Sequence, residues 1–465
     1  MSYAASWDTG GRNRALRDAL VVVAVTALPG ALIPFFGLKL PLLMMGLPIF
    51  ALGVVHLPTA LFITGFALAG FTFLNKMVGF NLARAFGVLF ALSWIYWRFL
   101  NLRAEPPRLS RRYMPFVFLT CVGALSVFWS EDPGMTVRAL PQRIEGVLLG
   151  LMLFDCLRDK KRIGSFVGGY VFGGALASGL VVQVYLEVGR YIPQLPGQVH
   201  RGTIIGLNPN GLSMNIGVAM FAVIAFIAAG KGLRRRAALF VFPVMVLAVL
   251  FMASRGAAIG IAVAMIYLWW SRLKTGDALD LRRLFGWVTV VAVLVIFLAM
   301  ITDLEQVPMW VRLSRGGSLN EMSSGRAGIW SAAFMSVFEH PFLGSGFGTF
   351  SRMYNQYREM SLLTPSVYLD DLTAHNDLLA IVVDMGFFAG FVFMIGVFRY
   401  LKSDAGGHRP MMHDCARAAA VVLLVGGMFN AMFDLKEAYA VFGTVAAILM
   451  LGWHRPEERA HESGL

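Results

Sequence analysis

Residues 375–400 form one apolar segment, HNDLLAIVVDMGFFAGFVFMIGVFRY. A run of this length and apolarity can cross the hydrocarbon core of a bilayer as an α-helix, which needs about 20 residues. His375 stands at its start, directly after the longest polar stretch of the chain. Because histidine titrates closest to neutral pH, His375 is a candidate catalytic base. The alternative is that His375 anchors the helix at the membrane interface.

The rest of the chain is also apolar. It is 57% hydrophobic and 14% charged, whereas soluble domains carry about 25% charged residues, and its mean hydropathy is +0.67. Apolar runs of helical length fall near 17–36, 39–55, 57–74, 82–100, 113–129, 137–157, 163–186, 208–229, 236–252, 255–271, 284–301, 375–400, 414–432 and 438–453. We therefore expect an all-α polytopic transmembrane bundle of about 12–14 spans, forming a single integral membrane domain over residues 1–465.

Clusters of basic residues predict the orientation of the spans. They are Arg12/Arg14/Arg17, Arg103/Arg108/Arg111/Arg112, Arg158/Lys160/Lys161/Arg162, Lys231/Arg234/Arg235/Arg236, Arg272/Lys274/Arg282/Arg283 and Lys402/Arg409. Threading the spans puts all six clusters on one side, which the positive-inside rule identifies as cytoplasmic, together with both termini. The same rule accounts for the net charge of +13, so we expect the lipid bilayer and no nucleic acid as a partner.

The opposite side then carries the segments near 130–136, 187–207, 253–255, 302–374 and 433–437. Residues 302–374 form the only long loop, inserted between transmembrane helices, and we expect it to contain short helices that lie across the membrane face. The three cysteines and eight histidines are scattered and show no metal-ligand spacing. The sequence thus predicts no metal site and no cofactor.

Four arginines break the rule that this outer side is poor in positive charge. They are Arg138, Arg201, Arg255 and Arg326. Ionisable groups at membrane depth are costly and are functional candidates for that reason. A guanidinium group matches phosphate oxygens in a bidentate geometry, so converging arginines predict a pocket for a phosphorylated headgroup. The alternative is that each arginine snorkels or pairs with a carboxylate such as Glu131, Asp132 or Glu321.

The helix after His375 has a face of small residues. At 100° per residue, Gly386 lies about 20° and Gly390 about 60° from His375, which predicts close approach of another helix on that face. Asp384 falls on the opposite face and is expected to pair elsewhere in the bundle. The carboxylate that orients His375 is left open among Asp377, Asp371, Asp434 and Glu437.

Six short motifs occur in order along the chain. They are Ser126-Val127-Phe128-Trp129-Ser130, Asn208-Pro209-Asn210, Ser254-Arg255-Gly256, Ser324-Gly325-Arg326 followed by Ile329-Trp330, His340-Pro341 with Gly344-x-Gly346, and His375-Asn376. In this pattern the chain resembles the O-antigen ligase/polymerase family of bacterial polytopic membrane proteins. One departure is Ala389, where the family usually has glycine, threonine or valine.

The resemblance implies a metal-independent, inverting glycosyltransferase with a GT-C type fold in the bacterial inner membrane. The implied donor is a glycan on undecaprenyl pyrophosphate at the periplasmic leaflet. His375 would deprotonate the acceptor hydroxyl, and Arg255 and Arg326, with Arg201 as a third, would hold the pyrophosphate. Further supporting residues would be Asn376, Asn210, Arg138 and Asp377.

Two activities fit such a protein. A polymerase of O-antigen or exopolysaccharide joins lipid-linked glycan units, and a ligase moves finished glycan onto lipid A-core; we give a slight preference to the polymerase. Proteins that set polysaccharide chain length or export the product are candidate partners. A lipid-linked glycan flippase or secondary transporter is the alternative from another class, although the gathering of polar residues on one side and the lack of repeated halves favour an enzyme.

Overall fold

The computed structural model describes a large part of the chain. The described residues are 54, 56–69, 82–100, 108–187, 208–274, 286, 308–309, 325–360, 372–402, 410–432 and 435–451. Within them the protein is all-helical, with thirteen α-helices and no strand. The helices are α1 Leu57–Leu68, α2 Leu82–Ile95, α3 Met114–Leu125, α4 Pro133–Cys156, α5 Lys160–Glu187, α6 Pro209–Ala229, α7 Gly232–Met252, α8 Arg255–Lys274, α9 Arg326–Glu339, α10 Phe350–Tyr357, α11 Asp377–Leu401, α12 Met411–Gly427 and α13 Lys436–Met450.

This architecture confirms the predicted all-α polytopic bundle. Eleven of the apolar runs coincide with described helices, whereas those at 17–36, 39–55 and 284–301 lie outside the described residues, apart from Val54 and Gly286. Among the described helices, α5, α6, α7, α8 and α11 are each long and apolar enough to cross a membrane. The total of 12–14 spans stays a prediction. In the described part of the long loop, α9 and α10 are the expected short helices.

Helix α6 lies at the centre of the bundle. It is the most buried of the five long apolar helices and packs against α5, α7, α8 and α12. Beside this group, α4 packs along α13, where Gly150 faces Gly443 so closely that a Cβ atom on Gly443 would overlap the carbonyl oxygen of Gly150. In lipid, helices associate through such close packing because water supplies no hydrophobic drive between them.

A buried ion pair joins α8 and α12 at the end of the bundle away from Arg255. Arg272 Nη1 lies 3.0 Å from Asp414 Oδ2, and the Ser271 hydroxyl donates to Asp414 Oδ1 at 2.9 Å. Both partners of the ion pair are at most 2% exposed. Arg417 Nη1 also lies 3.7 Å from Asp414 Oδ1. Since removal of Asp414 would take this carboxylate away from two buried guanidinium groups, the cluster fixes how α8 and α12 align.

Helix α11 is not one continuous helix, so the predicted smooth face is wrong. Gly386 has φ 78° and ψ 175°, which breaks the helix, and His375 has φ 48° and lies outside the helical phase. The backbone that approaches Gly386 belongs to a loop and not to another helix: Phe387 N donates to Pro341 O at 2.8 Å. The predicted angles between His375, Gly386 and Gly390 are wrong because they assumed one regular helix, whereas His375 and Gly386 both have non-helical backbone angles.

Asp384 pairs away from His375, as predicted. Its Oδ2 accepts a hydrogen bond from Gly348 N at 2.8 Å, and its backbone carbonyl accepts one from Gly346 N at 2.9 Å. Ser345 N donates to Val383 O at 2.9 Å. The break in α11 therefore exposes carbonyl groups that the glycine-rich loop, residues 340–348, satisfies.

We expect Gly386→Ala to lower the thermal unfolding midpoint of the purified protein. The backbone conformation of Gly386 is almost restricted to glycine and costs another residue about 1–3 kcal/mol, and a Cβ atom would overlap the carbonyl of Phe342. The matched control is Gly179→Ala in α5, where a Cβ atom meets nothing within 4 Å. Equal midpoints for the two variants would contradict the break at Gly386.

Candidate active site

The connection between α12 and α13, residues 428–435, is where several helix N-termini meet. At α8, a Cβ atom on Gly256 would lie 2.8 Å from Cβ of Phe429. At α11, Asp377 Oδ2 accepts a hydrogen bond from Met432 N at 3.2 Å. At α6, the position of a Gly211 Cβ atom lies 3.6 Å from the Leu435 side chain.

Helix α9 reaches the same connection through an arginine. Gly325, with φ 80°, begins the helix, and Arg326 Nη2 donates to Oδ1 of Asn430 at 3.3 Å. Asn430 is 5% exposed, so its carbonyl oxygen fixes the position of the guanidinium group from inside the protein. The N-termini of four helices, α6, α8, α9 and α11, therefore converge on one short connection, and N-termini favour anions.

Arg255 enters the site through a tight turn between α7 and α8. Ala253 has φ 51° and ends α7, and Ser254, 1% exposed, accepts at its carbonyl oxygen from Ala258 N at 2.9 Å. Arg255 is then the first residue of α8. Burial lowers the pKa of the Arg326 guanidinium, and the positive charge of Arg255 lowers it further.

Arg255 and Arg326 are two like-charged guanidinium groups in a half-buried site, and both can contribute to binding an anion. Arginine stays protonated at neutral pH even when its pKa is lowered, because its ordinary pKa lies far above neutral pH. An anion with several oxygens between Arg255 and Arg326 would relieve the repulsion and accept bidentate hydrogen bonds.

His375 lies within reach of the charge of Arg326. The carbonyl oxygen of the preceding residue, Ala374, accepts a hydrogen bond from Trp330 Nε1 at 2.8 Å. The Nδ1 atom of His375 lies 3.5 Å from Thr373 Oγ1. Burial lowers the pKa of the His375 ring, and the charge of Arg326 lowers it further. The imidazole is therefore neutral at pH 7 and can accept a proton.

Asn376 and Asp377 hold the start of α11. Asn376 is the N-cap, since its Oδ1 accepts from Leu379 N at 3.0 Å, and buried Asp377 faces Met432. Among the described residues no carboxylate contacts the His375 ring, and Glu437 lines a separate apolar cavity beside Lys436. Asp371 and Asp434 lie outside the described residues.

The other predicted residues are placed elsewhere or are not described. Arg138 is exposed near the start of α4 and lines a different cavity, whose lining includes neither His375 nor Arg255 nor Arg326. Asn210 lies in the first turn of α6, where its N donates to Oδ1 of the N-cap Asn208 at 2.9 Å. Arg201 and Glu321 lie outside the described residues.

Residues 240–394 match the family model described as O-Antigen ligase. This match confirms the resemblance to the O-antigen ligase and polymerase family. The matched segment runs from α7 into α11 and includes Arg255, Arg326 and His375, so it supports a glycosyltransferase-like ligase or polymerase role in surface polysaccharide synthesis. No curated protein matches the chain.

Sequence reasoning missed Asn430 and Arg143. Asn430 receives the hydrogen bond of Arg326, and its signal in the sequence is a lone amide in the apolar turn after Gly427. Arg143, 6% exposed, lies with its guanidinium carbon 5.3 Å from the ring centre of Phe347 and 5.4 Å from that of Tyr439. Its burial by two aromatic rings from distant segments is visible only in the fold.

The lowered pKa of His375 gives a test that needs no substrate. Diethyl pyrocarbonate modifies neutral imidazole, so the modification rate rises with pH through the pKa. We expect a midpoint below the ordinary histidine value of about 6.5, and a move to higher pH in Arg326→Gln, because the loss of a positive charge favours the imidazolium.

The rate is measured by mass spectrometry of the peptide that carries His375, with the His56 peptide as internal control. His56 is exposed at the start of α1 and should react alike in both proteins. A midpoint at His375 that Arg326→Gln leaves unchanged would contradict the proximity of the two side chains.

Proposed function

We propose that this protein transfers a glycan from undecaprenyl pyrophosphate to a hydroxyl group of an acceptor, at the periplasmic face of the bacterial inner membrane. The observation that carries the proposal is the placement of a neutral His375 near Arg326, which is in turn near Arg255, within the segment that matches the O-antigen ligase family. One proton acceptor and one dianion site are what glycosyl transfer from a lipid pyrophosphate requires.

In the proposed reaction His375 takes the proton from the acceptor hydroxyl while the acceptor oxygen bonds to the anomeric carbon of the donor. The bond between that carbon and the phosphate oxygen breaks, and the lipid pyrophosphate leaves with the electron pair. A direct in-line attack inverts the anomeric configuration. General base catalysis contributes about 10²–10⁴-fold to such a step.

Charge stabilisation of the leaving group is the second contribution. Negative charge builds up on the pyrophosphate as the bond breaks, and the two guanidinium groups together with the helix N-termini at the α12–α13 connection stabilise it. Because these groups are already fixed by Asn430 and by the α7–α8 turn, little reorganisation is needed during the reaction. A lipid pyrophosphate is already activated, so we propose that the transfer needs neither a metal ion nor another cofactor.

The positive-inside rule supports the proposed orientation. Arg158 lies between α4 and α5, and Arg234 lies at the start of α7. If α4, α5, α6 and α7 each cross the bundle in turn, both arginines lie at the end of the bundle opposite to the end that carries Arg255 and His375. Basic clusters remain on the cytoplasmic side, so the candidate active site would face the periplasm and both termini the cytoplasm.

A polymerase of O-antigen or exopolysaccharide remains our slight preference, with lipid-linked glycan as donor and a second glycan as acceptor. The family description favours a ligase that attaches finished glycan to lipid A-core as the second candidate. Both use the same base and the same leaving group. Proteins that control chain length or export would act with either enzyme.

A strain that lacks the protein should accumulate lipid-linked glycan. Mass analysis of the polyprenyl-linked pool separates the candidates, because a lost polymerase leaves single repeat units and a lost ligase leaves full-length chains. Wild-type protein should restore the normal pool, and His375→Ala should restore about a hundredth of the activity or less, because the base is gone.

His56→Ala is the matched control, since His56 is exposed at α1 and should complement fully. Complementation by His375→Ala, at normal membrane abundance, would refute the base assignment. An unchanged lipid-linked pool in the deleted strain would count against both enzymes and in favour of a transporter.

Gly256→Ala should reduce transfer about tenfold to a hundredfold without removing any charged group. A Cβ atom there would lie 2.8 Å from Cβ of Phe429 and 3.1 Å from Asn430 Nδ2. Helix α8, which begins with Arg255, must therefore move away from the α12–α13 connection, which positions Arg326. Misplacement by about 1 Å can cost that much in rate. Gly179→Ala, at an open position, should retain full activity; equal activities would show that this contact does not position Arg255.

A further inference from the structure

A polar cavity lies between the start of α4 and α10. Its volume is about 800 Å³, and its polar lining includes Asp132, Arg138, Arg352, Asn355, Gln356 and Arg358. Neither the proposed donor site nor the catalytic step uses any of these side chains. The cavity is of the size that binds small organic ligands.

The amphipathic α10 forms one wall of the cavity. Phe350, Met353, Tyr354 and Tyr357 are buried against α9 and α11, which turns the intervening polar positions toward α4. Asn355 and Gln356 are among those polar positions, and both line the cavity. The helical periodicity of this eight-residue helix therefore places its apolar side chains on one face and its polar side chains on the face that lines the cavity.

The lining has the chemistry of a site for a charged sugar. Three arginines and one aspartate line it, and Arg358 pairs with Glu359 at 3.4 Å, so one positive charge is in excess. Arg352 Nη1 lies 3.6 Å from Asp132 Oδ2, whereas Arg138 is exposed across the cavity. Amide groups donate and accept hydrogen bonds to hydroxyls, and guanidinium groups bind carboxylate or phosphate oxygens.

The cavity lies on the other side of α10 from the candidate active site. The apolar face of α10 packs in one cluster with Ala374, the residue before His375. The N-cap of α4, Asp132, and the start of α11 are therefore placed at the same end of the bundle, separated by one short helix. A glycan of several sugars can extend over such a distance.

We infer that this cavity binds an anionic saccharide unit of the acceptor glycan. The inference rests on the proposed function for the role of that glycan, but the binding itself does not require catalysis. Two features favour a saccharide over a lipid headgroup: the amide side chains of Asn355 and Gln356 line the cavity together with the arginines, and α10 turns its apolar residues away from the cavity. The excess positive charge favours a sugar that carries a carboxylate or a phosphate.

The test is saturation-transfer NMR on the full chain in lipid nanodiscs. The probes are a disaccharide that contains glucuronic acid, cellobiose as its neutral counterpart, and inorganic phosphate as competitor. The double variant Arg138→Gln/Gln356→Ala should weaken binding of the acidic disaccharide about tenfold or more, because it removes a charge-assisted contact and an amide contact. Arg138→Glu, a single change at an exposed position, should abolish it.

The matched control is Arg234→Gln, an exposed arginine at the start of α7, which should bind like wild type. Equal binding of cellobiose and the acidic disaccharide would overturn the inference, and so would full competition by inorganic phosphate at equal concentration. Normal binding by Arg138→Glu would also overturn it.

The inference and the proposed function fail separately. His375→Ala should bind the acidic disaccharide like wild type, since His375 does not line the cavity. If the cavity variants bind normally while His375→Ala is inactive, only the saccharide site is refuted. If His375→Ala transfers glycan while the cavity variants lose binding, only the proposed catalytic role is refuted.

Discussion

The repulsion between Arg255 and Arg326 is the constraint on which the site depends. Two like charges in a half-buried place repel each other, and the protein keeps them there through fixed contacts. Asn430 accepts a hydrogen bond from Arg326, and the turn at Ser254 starts α8 at Arg255. Burial lowers the pKa of His375 and the charge of Arg326 lowers it further, so the arginine that favours an anionic leaving group also helps to keep the base neutral.

A rigid frame keeps these charges in place. Helix α8 carries Arg255 at its start and Arg272 near its end, and Arg272 pairs with Asp414 at the start of α12. The other end of α12 leads into the connection that holds Asn430. The two helices are therefore fixed at both ends, by a buried ion pair and by the close contact of Gly256 with Phe429, so Arg255 cannot relax by sliding of α8.

The break in α11 links the packed helices to the loop of residues 340–348. At Gly386 the helix gives up its regular hydrogen bonds, and the loop of residues 340–348 takes them over. This loop leads into α10, whose apolar face packs beside Ala374 and whose polar face lines the polar cavity. A local backbone irregularity thereby brings the candidate base and a separate polar surface to the two sides of one short helix.

The sequence by itself determined the membrane class, the helical segments and the candidate residues His375, Arg255 and Arg326, because apolar length and the cost of charge at membrane depth are local properties. The partnership of Arg326 with Asn430, the positive φ of His375 and the break at Gly386 were decided by the tertiary structure alone. So was the separation of Arg138 from the other arginines. Which helix ends meet depends on packing between segments more than a hundred residues apart, and no periodicity within one helix carries that information.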